Sequence, residues 1–152
     1  MQAKALLTIP VAVLCCSAAE PEAQYQLGGE WAVTITPLQL PEAAKGAKGY
    51  TKTSCKPSLT EAAFPVVGRE KELAPGVICR VVEVSPFDAP YRRVDQCRTA
   101  SNPDARRITY VGTHSPTRYS LTITTEVPGR KDLVVVVRED GERKGPCSAA
   151  GT

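Results

Sequence analysis

Apolar and polar residues alternate along several stretches of this chain, and the alternation predicts β-strands. The clearest case is RYSLTITTEV, residues 118–127, in which Tyr119, Leu121 and Ile123 alternate with polar side chains. A period of two puts every second side chain on the same side of a strand, so such a segment predicts a strand with one buried face. Comparable patterns predict strands over 29–36, 50–55, 77–84, 91–98 and 106–114, and an apolar run predicts a seventh over 131–140.

Turn signals lie between these segments. Pro128 and Gly129 fit a type II turn, because glycine takes the positive φ that other residues resist. Asp140 followed by Gly141 is the tightest turn signal in the chain and predicts the end of the last strand. Prolines, beginning with Pro37, are expected to end the first strand, because proline cannot donate a hydrogen bond to a sheet.

One short helix is predicted between the second and third strands. Ser58 followed by Glu61 fits a capping box, so a helix is expected over about residues 59–64, stopped by Pro65. Residues 67–76 are expected to form a loop or a loose helical turn. Seven strands at a spacing of about ten residues, without βαβ alternation, predict a mainly β domain. Its expected architecture is an antiparallel meander curled into a small barrel or sandwich.

The first residues, MQAKALLTIPVAVLCCSAAE, predict a cleaved secretory signal peptide over residues 1–19. Cleavage after Ala18 or Ala23 is an alternative, and so is a lipoprotein anchored through Cys15 or Cys16. The apolar run is too short to span a membrane, so no transmembrane segment is expected in the mature chain. Residues 20–29 are then predicted to be loose, and residues 30–152 to form a single exported β domain.

Removal of the signal leaves four of the six cysteines, and an even number in an exported chain predicts two disulfides. If the third and fourth strands pair about Asp88, Cys79 lies opposite Cys97. Cys55 is then left to pair with Cys147. The gaps between the cysteines are too long for a metal site and His114 is the single histidine, so neither a metal nor another cofactor is expected.

Several short motifs occur in a characteristic order. They are G-x-W-x-V-T at residues 29–34, Cys55 followed by LTEAA, C-x-V-x-x-V at residues 79–84, Cys97 at a strand end, and G-x-C at residues 145–147. In this order the chain resembles the exported bacterial family of domains of unknown function numbered 3617, over nearly the whole mature chain. The resemblance implies a periplasmic β domain with four cysteines and implies no activity. Members often carry Gly- and Met-rich loops, whereas this chain has Met1 alone and Arg-bearing turns.

Nothing in the sequence predicts an enzyme. His114 lies in a GTHSP segment that is expected to be a solvated turn, and the flanking glycine pattern of a serine nucleophile is missing. The carboxylates at strand ends and turns are explained by capping and solvent, and no pair of them predicts glycoside chemistry.

Two sets of side chains are candidates for binding. The arginine doublets predict a basic strip that meets an anionic envelope component, although edge-strand protection also explains them. The formal net charge is only +3, and export argues against a nucleic acid partner. The aromatic residues could line an apolar cavity or fill the core. These candidates are Arg92, Arg93, Arg106, Arg107, Trp31, Tyr110 and Tyr119.

The leading hypothesis is therefore a non-enzymatic periplasmic binding or interaction module. Its partner would be a small apolar, lipid-like molecule held inside the β-structure, or an envelope component or envelope protein on the basic face. The alternative is an inhibitor of a cell-envelope hydrolase, because a rigid, disulfide-bonded loop can plug an active site at low entropic cost.

Overall fold

The computed structural model describes residues 24–61, 63–86 and 89–147, and the fold is given for these residues. It consists of antiparallel β-strands with one short 3-10 turn at Glu42–Ala44. The strands are β1 (Gln24–Gln26), β2 (Gly29–Gln39), β3 (Tyr50–Lys56), β4 (Leu59–Thr60), β5 (Glu70–Ala74), β6 (Val77–Val84), β7 (Tyr91–Arg98), β8 (Arg106–Ser115), β9 (Arg118–Val127) and β10 (Arg130–Gly145).

Eight of the strands form one sheet in the order β3-β2-β10-β9-β8-β7-β6-β5, and β1 pairs with β4 in a separate two-stranded sheet. Strands β5 to β10 make an uninterrupted meander, and the β2–β3 hairpin adds to its last strand. Within the described residues neither β3 nor β5 has a second partner, so the large sheet is open rather than a closed barrel. The predicted mainly β, antiparallel fold is confirmed.

Most of the core lies on one face of the large sheet, which we call the inward face, whereas the fully buried Val94 of β7 points to the other face. The inward face carries the buried side chains of Trp31 and Val33 on β2, and the cluster of Cys79, Cys97 and Ile108 on β6, β7 and β8. The small sheet covers one end of this face, where β1 contacts β8. The opposite, outward face is rich in Thr, Ser and charged residues, as expected for an antiparallel sheet that is solvated on one side.

Strands β6, β7 and β9 have the predicted bounds, but β10 is longer than expected. Asp140 and Gly141 do not form the predicted turn, because β10 continues through them to Gly145. Asp140 pairs with Thr34 on one side and Ser120 on the other. Two neighbouring strands thus supply partners for the backbone, and this outweighs the local turn preference.

Strand β2 likewise continues beyond Pro37, the proline that was expected to end it. Pro37 pairs with Val137 next to a register shift between Val136 and Val137. An irregularity of this kind tolerates a residue without a backbone N–H. The prediction failed because proline is excluded from regular ladders but not from bulges.

The helix predicted over residues 59–64 is wrong. Leu59 and Thr60 form β4, and the chain then turns through a hydrogen bond from the Phe64 N–H to the Glu61 carbonyl. The hydroxyl of Ser58 does not cap a helix but accepts a hydrogen bond of 2.9 Å from the backbone N–H of Gly28. This bond fixes the segment beside the N-terminal strands instead.

An eighth strand of the large sheet occurs where a loop was expected. The segment 67–76 contains β5, and all five residues of this strand are exposed. An edge strand that buries neither face shows no apolar alternation, so its sequence carried no signal. Within the N-terminal segment that was predicted to be loose, residues 24–26 form β1. The predicted signal peptide, with Cys15 and Cys16, and Asp88 lie outside the described residues.

Both predicted disulfides are confirmed. Cys79 lies directly opposite Cys97 in the β6–β7 register, with 3.9 Å between their Cα atoms, and both side chains are buried. Cys55 of β3 is bonded to Cys147 beyond β10, and both of these residues are exposed. Two disulfides indicate folding in an oxidising compartment. None of the helical segments that the structure describes is long and apolar enough to cross a membrane.

Candidate functional site

A cavity of about 190 Å³ lies between the inward face and the small sheet, and we call it the aromatic cavity. Most of its lining side chains are aromatic or aliphatic, and a few are polar. They are Tyr25, Gln26, Lys56, Leu59, Tyr91, Tyr110, His114, Tyr119, Leu121 and Glu139. The register brings them together from seven strands, because Tyr119 pairs with His114 while Leu121 and Tyr110 lie on the same face of β9 and β8.

The roof of the aromatic cavity is formed by Tyr25 of β1. Its ring stacks on His114, lies 4.8 Å from the Phe64 ring between centroids, and meets Tyr91 edge-on at 6.0 Å. Burial raises the pKa of Tyr25 well above its ordinary value, and the pKa of Tyr91 is raised chiefly by the same cause. Both phenols are therefore neutral across the physiological range.

Gly141 allows the wall of the cavity to form. A Cβ atom at this position would overlap the Tyr119 ring, so the ring lies directly against the β10 backbone. On its other side Tyr119 contacts Trp31, with 5.6 Å between the ring centroids. The Trp31 indole N–H donates to the Leu27 carbonyl at 3.1 Å, so Trp31 is satisfied and fills the core next to the cavity.

Three polar side chains meet at one side of the cavity. Lys56 Nζ donates to the Tyr119 hydroxyl at 2.7 Å, and this hydroxyl donates to Glu139 Oε1 at 2.6 Å. Lys56 Nζ lies 4.0 Å from the same carboxylate oxygen. We call this arrangement the polar trio.

The polar trio is only partly exposed, and this shifts the pKa values of Lys56 and Tyr119. Burial lowers the pKa of Lys56, although the nearby Glu139 carboxylate opposes the shift. Burial and the hydrogen bond to Glu139 raise the pKa of Tyr119 far above its ordinary value. Tyr119 thus keeps its proton and serves at once as acceptor and donor.

His114 is not the solvated turn residue that was expected. It belongs to β8 and is half-buried beneath Tyr25, and this burial lowers its pKa. Its Nδ1 atom is buried and has no hydrogen-bond partner among the described residues. A neutral imidazole is the form that this position favours.

The first arginine doublet is divided between the two faces of the sheet. Arg92 is exposed and pairs with Glu83, whereas Arg93 points inward to a bidentate ion pair with the buried Asp95. The guanidinium of Arg93 also lies 5.4 Å from the Tyr110 ring centroid. Neighbouring residues of a strand point in opposite directions, so a doublet in a strand does not form one patch.

The second doublet, Arg106 and Arg107, is exposed at the start of β8 and is divided in the same way. Arg107 borders a hollow of about 360 Å³ on the outward face, together with Asp104 and Glu126. The largest hollow, an open groove of about 750 Å³, is also on the outward face and is lined mainly by hydroxyl and charged side chains. Of the predicted binding residues, Tyr110 and Tyr119 line the aromatic cavity, Trp31 lies beside it, and the four arginines do not converge.

Sequence reasoning missed most of the residues of this site. One signal was available, because Glu139 is in phase with Val135 and Val137 on the apolar side of β10. An acidic residue in phase with buried positions indicates a polar partner. Lys56 gave no such signal, because both faces of β3 consist mostly of polar residues and no apolar side stands out. Tyr25 lies in the segment expected to be loose.

No family model, curated protein or solved structure matches this chain. Among the residues that the structure describes, no group of three or more His, Cys, Asp or Glu side chains is placed to hold a metal ion.

Proposed function

We propose that this protein is a non-enzymatic binding module that holds a small, ring-sized apolar molecule in the aromatic cavity. The observation that carries the proposal is the cavity itself, a partly open hollow lined by four tyrosines and two leucines between the large sheet and the small one. Ligand sites are typically concave and mostly apolar, with a few polar groups that orient the ligand. The polar trio supplies those groups.

The size of the cavity narrows the class of ligand. Pockets for drug-sized ligands enclose roughly 300–1,000 Å³, whereas a cavity of about 150 Å³ holds a benzene molecule. The aromatic cavity, at about 190 Å³ and partly open, has room for one ring with one or two substituents. The ligand we propose is therefore a small ring compound.

The periplasm is the compartment we propose. Two disulfides require an oxidising environment, and the N-terminal sequence has the charge and apolar pattern of a secretory signal. The resemblance to the exported domain family numbered 3617 points to the same compartment.

Binding of an anionic envelope component has less support. Most arginines outside the aromatic cavity are engaged with carboxylates, so their charge is largely neutralised locally. These pairs are Arg92–Glu83, Arg93–Asp95, Arg98–Glu70, Arg118–Glu142, Arg130–Asp132 and Arg138–Asp140. An inhibitory role needs a protruding turn with an available anchor side chain, and at the Pro128–Gly129 turn Arg130 is held by Asp132.

The proposal is tested by titrating the protein with toluene and following the backbone amide signals by NMR. We expect shifts confined to residues around the cavity, such as Tyr25, His114 and Tyr119. Leu59→Phe should fill the cavity and abolish the shifts. The matched control is Leu38→Phe, because Leu38 is exposed on β2 and outside the cavity. Shifts that persist in Leu59→Phe, or none in the unmodified protein, would refute the proposal.

A further inference from the structure

We propose that the ligand of the aromatic cavity is a small phenol, a single aromatic ring with a neutral hydroxyl group that Lys56 and Glu139 recognise together. This inference rests on the proposed function and makes it more specific. The two charged side chains both line the cavity, so a ligand within it lies in reach of both.

The protein already contains the interaction that we infer. The hydroxyl of Tyr119 is itself a phenol, and it accepts from Lys56 Nζ and donates to Glu139 Oε1. A hydroxyl group is both a donor and an acceptor, so it satisfies a cation and a carboxylate at the same time. In the polar trio a lysine and a glutamate thus already bind one phenol hydroxyl together.

Both charged groups have capacity for a second hydroxyl. An ammonium group has three donors, and Lys56 uses one of them at 2.7 Å on Tyr119. An ionised carboxylate offers about four acceptor positions, and Glu139 accepts the Tyr119 hydroxyl on Oε1. Their side chains are 29% and 23% exposed, so they are neither sealed off nor freely solvated.

The opposite charges of Lys56 and Glu139 favour a ligand that is itself uncharged. Lys56 and Glu139 carry opposite charges with 4.0 Å between Nζ and Oε1. A ligand carboxylate would be attracted by Lys56 and repelled by Glu139, and a ligand ammonium would meet the reverse. A hydroxyl gains hydrogen bonds from both groups and is repelled by neither. The walls formed by Tyr91, Tyr110 and Leu121 then contact the ring.

The inference is tested with four probes of nearly equal size: 4-methylphenol, toluene, 4-methylbenzoate and 4-methylbenzylamine. Dissociation constants are measured by NMR titration on the same protein. We expect 4-methylphenol to bind about tenfold more tightly than each of the other three, because its hydroxyl gains charge-assisted hydrogen bonds.

Two variants locate the source of this preference. In Lys56→Met the ratio of the toluene dissociation constant to that of 4-methylphenol should fall well below ten, since one donor is lost while Glu139 still accepts from the ligand hydroxyl. In Lys48→Met it should be unchanged, because Lys48 is an exposed lysine that does not line the cavity. The ratio compares two ligands on one protein, so it does not depend on a change in stability.

The outcomes separate this inference from the proposed function. Equal affinity for toluene and 4-methylphenol would overturn the phenol inference and leave the apolar site in place. Tighter binding of the benzoate or of the benzylamine would overturn it in favour of a charged ligand. Failure of all four probes to bind would refute both proposals.

Discussion

The inward face of the large sheet has two ends that differ in how their polar groups are satisfied. At one end, which we call the core end, Asp95 and Arg93 hold each other in a bidentate pair beside the buried Cys79–Cys97 disulfide. At the other, the aromatic end, Lys56 and Glu139 meet through the Tyr119 hydroxyl beside the aromatic cavity. The disulfide nearest to this end, Cys55–Cys147, is exposed.

The difference bears on where the proposed ligand would bind. At the core end the Arg93 guanidinium donates two hydrogen bonds to the Asp95 carboxylate. The hollow beside this pair has a volume of about 140 Å³. In the aromatic end one hydroxyl bridges the charges and leaves donors and acceptors unused next to a larger cavity. The closed pair serves packing, whereas the open arrangement suits recognition.

The largest expected effect concerns the exposed disulfide. Replacing both partners, Cys55→Ser with Cys147→Ser, removes a bridge across 92 residues and should lower the free energy of unfolding by about 4–5 kcal/mol in the chain-entropy model. Urea denaturation measures the loss. A change below about 1 kcal/mol would show that the unfolded chain is already constrained without this bridge.

The same disulfide should also be the first to be reduced. Cys79 and Cys97 are buried, so a reductant reaches them only after local opening of β6 and β7, whereas the other bridge is accessible. An opening cost of about 3 kcal/mol makes reduction of Cys79–Cys97 about a hundredfold slower. Timed thiol alkylation with mass analysis gives the order. Reduction of the buried bridge first would contradict the contrast between the two ends.

The next effect concerns the ion pair of the core end. Asp95→Ala leaves the half-buried Arg93 without its partner and should cost about 3 kcal/mol of unfolding free energy. The matched control is Asp132→Ala, because Arg130 and Asp132 have the same spacing and a bidentate contact at the surface. We expect no measurable change there. Similar losses in both variants would mean that burial does not distinguish the pairs.

A smaller effect is expected from Gly141→Ala at the aromatic end. The added methyl group would overlap the Tyr119 ring and push it from the β10 backbone, at a cost of about 1–3 kcal/mol. In the background of Tyr119→Ala the same change should cost much less, because the ring is gone. A double-mutant cycle of urea denaturation measures this coupling. Additive losses would show that Tyr119 does not need the glycine.

The smallest effect is the pH dependence that His114 contributes. Its pKa is lowered in the fold from an ordinary value of 6.5, so the unfolded chain takes up more protons as the pH falls through 6.5. Stability should therefore decrease on going from about pH 7 to about pH 5. His114→Gln should make the urea midpoint less sensitive to pH over this window. An unchanged slope would show that His114 is solvated in the fold.

Much of the fold could be predicted from local sequence, but only where one face of a strand is buried. Strands β6, β7 and β9 carry clear alternation and occur with the predicted bounds. Strand β5 was missed because it is an exposed edge, and β4 was missed because Ser58 and Glu61 have the sequence of a helix cap. For β4 the deciding hydrogen bonds come from residues distant in the chain, such as that from Gly28 to Ser58, whereas β5 pairs with the adjacent strand β6.

Less of the candidate site could be predicted. Tyr110 and Tyr119 were identified because they are aromatic residues in predicted strands. Lys56 and Glu139 are 83 positions apart in the chain and meet each other and Tyr119 only in the folded sheet, so no local pattern relates them. The arginine doublets were conspicuous in the sequence, yet alternation along a strand separates their members.

The sequence by itself determined the strands that bury one face and the pairing of the four cysteines. These depend on a period of two and on distances along the chain, which local chemistry encodes. The tertiary structure alone decided that the sheet remains open, that β1 and β4 cover one end of it, and that a lysine, a tyrosine and a glutamate meet beside a cavity. Such contacts depend on strand order and register, which are set by the packing of the whole sheet.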